Sequence, residues 1–166
     1  MTCCITEIQE LFTSKLNVSI TNIEQDLECK EYSGYNFRSN NFKIKFRKAK
    51  VTSKKIGQFV TLWKRNVVGE TIPFDINDDF DFYIIYTQQD FNKGMFIFSK
   101  RVLAEKQILS GIKEGKRGFR VYPNWDRPLN NQALKTQSWQ EKYFVSVNDH
   151  SAEIINKYKS ITSENT

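Results

Sequence analysis

Four carboxylates, Asp75, Asp78, Asp79 and Asp81, crowd one short stretch of the chain. Clustered carboxylates are the oxygen ligands a hard cation such as Mg²⁺ takes, and a bound divalent ion can polarise a phosphoryl oxygen. The stretch lacks the Asp-x-Asp-x-Asn-Gly pattern of a calcium loop. Asp79 and Asp81 are the candidate ligands, Asp81 alternating against Phe80 and Phe82. The competing reading is that these acids simply balance nearby bases. Nucleophilic catalysis has less to work with. The one histidine, His150, lies near the C-terminal end, so no Cys–His or Ser–His pair has a well-placed base. Walker A, GxGxxG and zinc spacings do not occur, and no residue is assigned a catalytic role.

The bases are sorted along the chain. Residues 42–65 hold nine Lys or Arg and no acid, 66–91 hold six acids and no base, and 93–120 hold eight bases against Glu105 and Glu114; the whole chain is +6. Within the first block, Phe42, Ile44 and Phe46 alternate with Lys43, Lys45 and Arg47. As a strand this sets cations about 7 Å apart, close to the spacing of phosphates along a nucleic-acid strand. Lys48, Lys50, Lys54, Lys55, Lys64 and Arg65 extend the block. GIKEGKRGFR (111–120) adds Lys116, Arg117 and Arg120, with Gly115 and Gly118 expected to make a flexible turn that lets Lys116 and Arg117 meet a nucleic-acid backbone closely. Trp125 and Trp139 are candidate stacking platforms, and Lys135 and Gln137 flank the latter on an expected helix. The same residues also describe a solvated lysine-rich surface over an ordinary core.

The elements carrying them follow from periodicity. Ile5, Ile8, Leu11 (or Phe12) and Leu16 are spaced like one helical face, with Thr2 or Thr6 as candidate caps. YNFRSNNFKIKF predicts two strands about an Arg38–Asn41 turn, and a bulge near Lys48 would absorb the apparent change of phase at Ala49 and Val51. Ile56, Phe59, Val60 and Trp63 fall at helical spacing behind Thr52 or Ser53 as a cap. FDFYIIYT (80–87) and GMFIFS (94–99) predict a hairpin, Ser99 a cap for a following helix, FRVYP a short strand, 132–142 a helix, and YFVSV a last strand. The expected fold is α+β (mixed α/β): a single domain over 1–148, a central mixed sheet flanked by helices, and a polar tail at 149–166. Cys3, Cys4 and Cys29 lack CxxC spacing and suit free thiols in a reducing compartment. No run approaches the roughly 20 apolar residues of a membrane span. A cytoplasmic location is expected, without membrane contact.

FRKAKVTSKKIGQFVTLWKR (46–65), NDDFDFYII (77–85), EGKRGFRVYPNWD (114–126) and ALKTQSWQEKYF (133–144) closely resemble the MepB family, over about Asn36 to Phe144. The resemblance implies a small bacterial cytosolic α/β domain, encoded beside a multidrug efflux pump and its regulator, with nucleic-acid binding and no established catalytic residues. A looser likeness is to the restriction-endonuclease-like PD-(D/E)xK core. In that alignment Lys45 matches the catalytic lysine, but Lys43 stands where a metal-binding carboxylate belongs, and its charge would repel the ion. The expected partner is therefore DNA or RNA, held by its phosphates without a cofactor. Alternatives are a Mg²⁺-dependent nuclease or phosphodiesterase and a charge-mediated protein adaptor.

Overall fold

The computed structural model describes residues 3–164. Thr2 and the side chains of Cys3 and Cys4 lie outside that description. A six-stranded mixed sheet forms the centre, in the order β1 (Ile20–Gln25), β2 (Tyr35–Ser39), β3 (Phe42–Lys48), β8 (Phe82–Gln89), β9 (Asn92–Ser99), β11 (Phe144–Ser146). Only β3 and β8 run parallel; every other neighbouring pair is antiparallel. Between β3 and β8 the chain builds β4 (Lys50–Thr52), β5 (Lys55–Thr61), β6 (Trp63–Arg65) and β7 (Thr71–Pro73). A parallel neighbour requires such a crossover, because a tight turn can only reverse the chain. The β2–β3 hairpin turns at Asn40–Asn41, where Asn40 takes φ 53°, a left-handed value Asn tolerates.

Both faces of the sheet are covered. On one side α1 (Cys3–Glu10) and a π-helical turn (Leu11–Lys15) place Ile5, Ile8, Leu11 and Phe12 on Phe37, Ile44, Phe46 and Ile84. α4 (Ser151–Ser163) completes that layer with Ile154, Tyr158 and Ile161. The segment expected as a polar tail is thus a helix. Its three apolar residues fall at i, i+4 and i+7, and each buried side chain contributes about 1.5–3 kcal/mol. On the other side, β4, β5 and β10 (Gly118–Val121) form a second sheet, joined by α2 (Lys100–Glu105). Val60, Leu62, Phe119, Val121 and Leu103 pack there on Tyr83, Ile85, Phe96 and Phe98. α3 (Asn131–Gln140) lies against β10. No helix among the described residues is long and apolar enough to cross a membrane.

The expected helix over 54–63 does not form. Thr52 pairs with Lys55 across a Ser53–Lys54 turn, and β5 follows as a strand. Two features decide it. Gly57 takes φ +89°, outside helical geometry, and the alternation that counts is Gln58, Val60, Leu62, all buried. A polar Gln in the inward set hid the period of two. The bulge expected near Lys48 is also unnecessary. Ala49 shares the side of β3 that carries Lys45 and Arg47, and that side is itself a core face where Ala49 is buried. Ser99 caps α2 as expected, accepting from Val102 N at 3.1 Å.

Candidate functional site

The charged side of β3 is largely enclosed rather than presented to solvent. Arg47 is 1% exposed and donates to Asp26 Oδ2 at 2.5 Å and to the Phe46 carbonyl at 2.7 Å. Its place as a phosphate contact is corrected accordingly: the turn at Leu27–Tyr32 packs on β3 and Gly34 passes close to the guanidinium. Lys45 donates to Asn36, its partner across β2, at 3.2 Å and lies 4.6 Å from the Phe74 ring centre. Burial lowers its pKa, and Arg47 pushes the same way.

The acidic stretch folds onto the basic one. Lys43 Nζ lies 2.5 Å from Asp79 Oδ2, and Lys64 Nζ lies 2.6 Å from Asp78 Oδ1. Asp81 Oδ2 accepts the Lys43 backbone N–H at 2.7 Å, while Asp81 N–H returns to the Lys43 carbonyl at 2.8 Å. Lys100 donates to the Asp78 carbonyl. Asp79 and Asp81 are therefore both engaged by Lys43, one by its ammonium and one by its backbone. Among the described residues, no three His, Cys, Asp or Glu side chains gather as a metal ion would need. Other cations of the first block also have neighbours: Lys48 with Gln88 and Tyr86, Lys50 with Glu31 and the Tyr32 ring, Arg65 with Glu28 and the Trp63 ring.

At the far end of the second sheet the bases converge without acids. A groove of about 720 Å³ opens between the β5–β10 edge and α3. Lys54, Lys55, Lys106, Lys116 and Arg120 line it, and among the described residues no carboxylate does. Its wall is held by Gln140, whose Oε1 accepts Tyr122 N–H at 2.8 Å and whose Nε2 donates to the Arg120 carbonyl at 2.9 Å. The Arg120 guanidinium is braced by Thr52 Oγ1 at 2.8 Å and the Gly57 carbonyl at 3.2 Å. Gly57 is required beneath Tyr122, since a Cβ there would meet the ring at 2.7 Å. Asn130 caps α3, accepting from Ala133 N–H at 2.8 Å, and both residues lie in the lining. The positive end of the α3 dipole thus adds to the five cations. With no carboxylate in the lining among the described residues, they raise the local potential toward a polyanion.

A family model described as MepB-like matches residues 26–146. This chain belongs to the MepB-like family. The solved structure entitled Crystal Structure of MepB is similar to it, with a TM-score of 0.79 and 29% identity over 90% of this chain and 99% of that one. A bacterial homing endonuclease aligns at a TM-score of 0.46 and 13% identity, over 98% of this chain and 99% of that one. No curated protein matches the sequence.

In this MepB-like chain the sequence-predicted residues divide into groups. Lys54, Lys55, Lys116, Arg120 and Trp139 come together in the groove. Arg117, next to Lys116, turns away to Glu114 at 3.1 Å and the Thr71 carbonyl at 2.9 Å. Lys135 is exposed on α3 outside the lining. Gln137 is buried, its amide donating to the Pro123 and Asp126 carbonyls, so it fastens a loop. Trp125 is half-buried, edge-on to Phe144 at 5.7 Å. Trp139 packs on Phe98, with Lys106 Nζ over its ring at 5.2 Å, so that cation occupies the surface expected for stacking. Gly115 serves close approach rather than flexibility: a Cβ would lie 2.4 Å from the Ile108 carbonyl. Sequence reasoning missed Lys106. It sits in the second basic block, yet only the tertiary fold, which sets it over the Trp139 ring of α3, brings it to the groove.

Proposed function

We propose that this chain is a nucleic-acid-binding protein that holds DNA or RNA by its phosphates in the groove between β5, β10 and α3. The observation that carries this reading is the lining itself, five cations and a helix N-terminus around one concavity with no carboxylate among the described residues. Elsewhere the same chain balances its bases with Asp78, Asp79 and Asp26. Leaving one cluster unbalanced costs self-repulsion, which an anionic partner would relieve. Fixed phosphate contacts need no cofactor and no catalytic residue. A cytoplasmic location accompanies the reading.

The test is fluorescence polarisation with labelled oligonucleotides across a salt series. Affinity should fall steeply as salt rises. Lys55→Glu and Lys116→Glu should each weaken it about ten-fold or more, since each removes a cation and adds a repelling charge. Absence of binding at low salt, or binding insensitive to both substitutions, would overturn the proposal.

A further inference from the structure

Two exposed aliphatic side chains stand among the cations of the groove. Ile56 is 40% exposed and Leu129 is 88% exposed, and both belong to the lining. Phosphates gain nothing from such contacts. The flat faces of bases do, and in a duplex those faces are stacked on one another and out of reach.

Resting on the nucleic-acid reading above, we infer that the groove takes a single strand in preference to a duplex, with phosphates on Lys54, Lys55 and Lys116 and base faces on Ile56 and Leu129. Trp139 contributes indirectly, by holding Lys106 in place over its ring. The aliphatic residues are sequence-tolerant partners, so the preference is for strandedness rather than for a particular base.

The full chain is titrated with a labelled single strand of about twelve nucleotides, within the usual site sizes, and with the same sequence as a blunt duplex, between about 50 and 200 mM salt. The expected result is single-strand affinity several-fold above duplex affinity, less than an aromatic stacking platform would give. Ile56→Ser and Leu129→Ser should weaken the single strand several-fold while leaving the salt slope unchanged. Both positions are exposed, and circular dichroism verifies that each variant is folded. Duplex binding as tight as single-strand binding overturns the inference and leaves the broader reading standing, as do folded variants that bind the single strand unchanged. If neither nucleic acid binds at the lower salt, both readings fall. Capture of an acidic, leucine-containing peptide by the same cations in place of the strand also overturns both, in favour of a protein partner.

Discussion

Arg47 Nη2 lies 2.5 Å from Asp26 Oδ2, joining the middle of the central sheet to the end of β1 inside the protein. Asp26 also accepts the Glu28 N–H at 3.1 Å as the cap of a short helical turn. A Cβ at Gly34 would meet Arg47 Nη1 at 2.9 Å, so the chain passes close over the guanidinium. Removing one partner leaves a buried charge uncompensated. Asp26→Ala and Arg47→Ala should each lower unfolding free energy by about 3–5 kcal/mol, and Arg47→Met by less, because it restores packing. Urea denaturation measures this. The folded Arg47→Met protein should retain the salt dependence of nucleic-acid binding.

Cations in the groove and cations already paired should separate in a salt titration. Lys55→Ala and Lys116→Ala should each make the logarithmic salt slope shallower by about 0.7–0.9, one released counterion per lost contact. Lys64→Ala should leave the slope as it is, because Asp78 already neutralises that ammonium at 2.6 Å. A slope shallower by that same amount in Lys64→Ala would move the site to the other end of the sheet.

Asp79 should report its partner by titration. The hydrogen bond from Lys43 holds its carboxyl below the usual value. Its stabilising contribution is then present above the unfolded carboxylate pKa and is lost as pH falls through the lower folded value. Lys43→Met should return the Asp79 titration upward. Carbon-detected NMR of the side-chain carboxyl checks the direction.

Asp126 should behave in the opposite sense. Burial raises its pKa above 3.8, so between 3.8 and the folded value the native state binds more protons than the unfolded one. Stability from this group therefore falls as pH rises through that window, and at neutral pH the ionised carboxylate is a cost. Asp126→Asn should flatten this part of the dependence and raise Tm at pH 7 relative to pH 4, each compared with the parent. Thermal melts at the two pH values decide it.

Gly57→Ala should damage the groove and the fold together. The left-handed φ of +89° and the ring of Tyr122 both exclude a side chain. The backbone term alone costs about 1–2 kcal/mol, and displacement of Tyr122 should weaken oligonucleotide binding. A melt and a polarisation titration on the same sample measure both effects.

Local chemistry was legible in the chain. The β2–β3 hairpin follows from Asn40 and the Phe42/Ile44/Phe46 alternation, the β8–β9 hairpin from two apolar runs, and α2 from Ser99. Four cations of the groove, Lys54, Lys55, Lys116 and Arg120, could be named because they lie in acid-free or acid-poor stretches. Strand or helix at 54–63 was not legible, because Ile56, Phe59, Val60 and Trp63 satisfy the helical period while Gln58, Val60 and Leu62 satisfy the strand period. Pairing with β4 across a tight turn and with β10 settles the choice, and β10 is a non-local partner.

Charge shows the division most clearly. The sequence by itself determined how many cations and carboxylates there are and that they occupy separate blocks. Which of them cancel was decided only by the tertiary structure, because Coulomb attraction depends on distance in space and on burial, not on separation along the chain. Lys43 and Asp79 are 36 residues apart and meet, as do Arg47 and Asp26 at 21. Lys55 and Lys116, from different blocks, are brought to one groove instead.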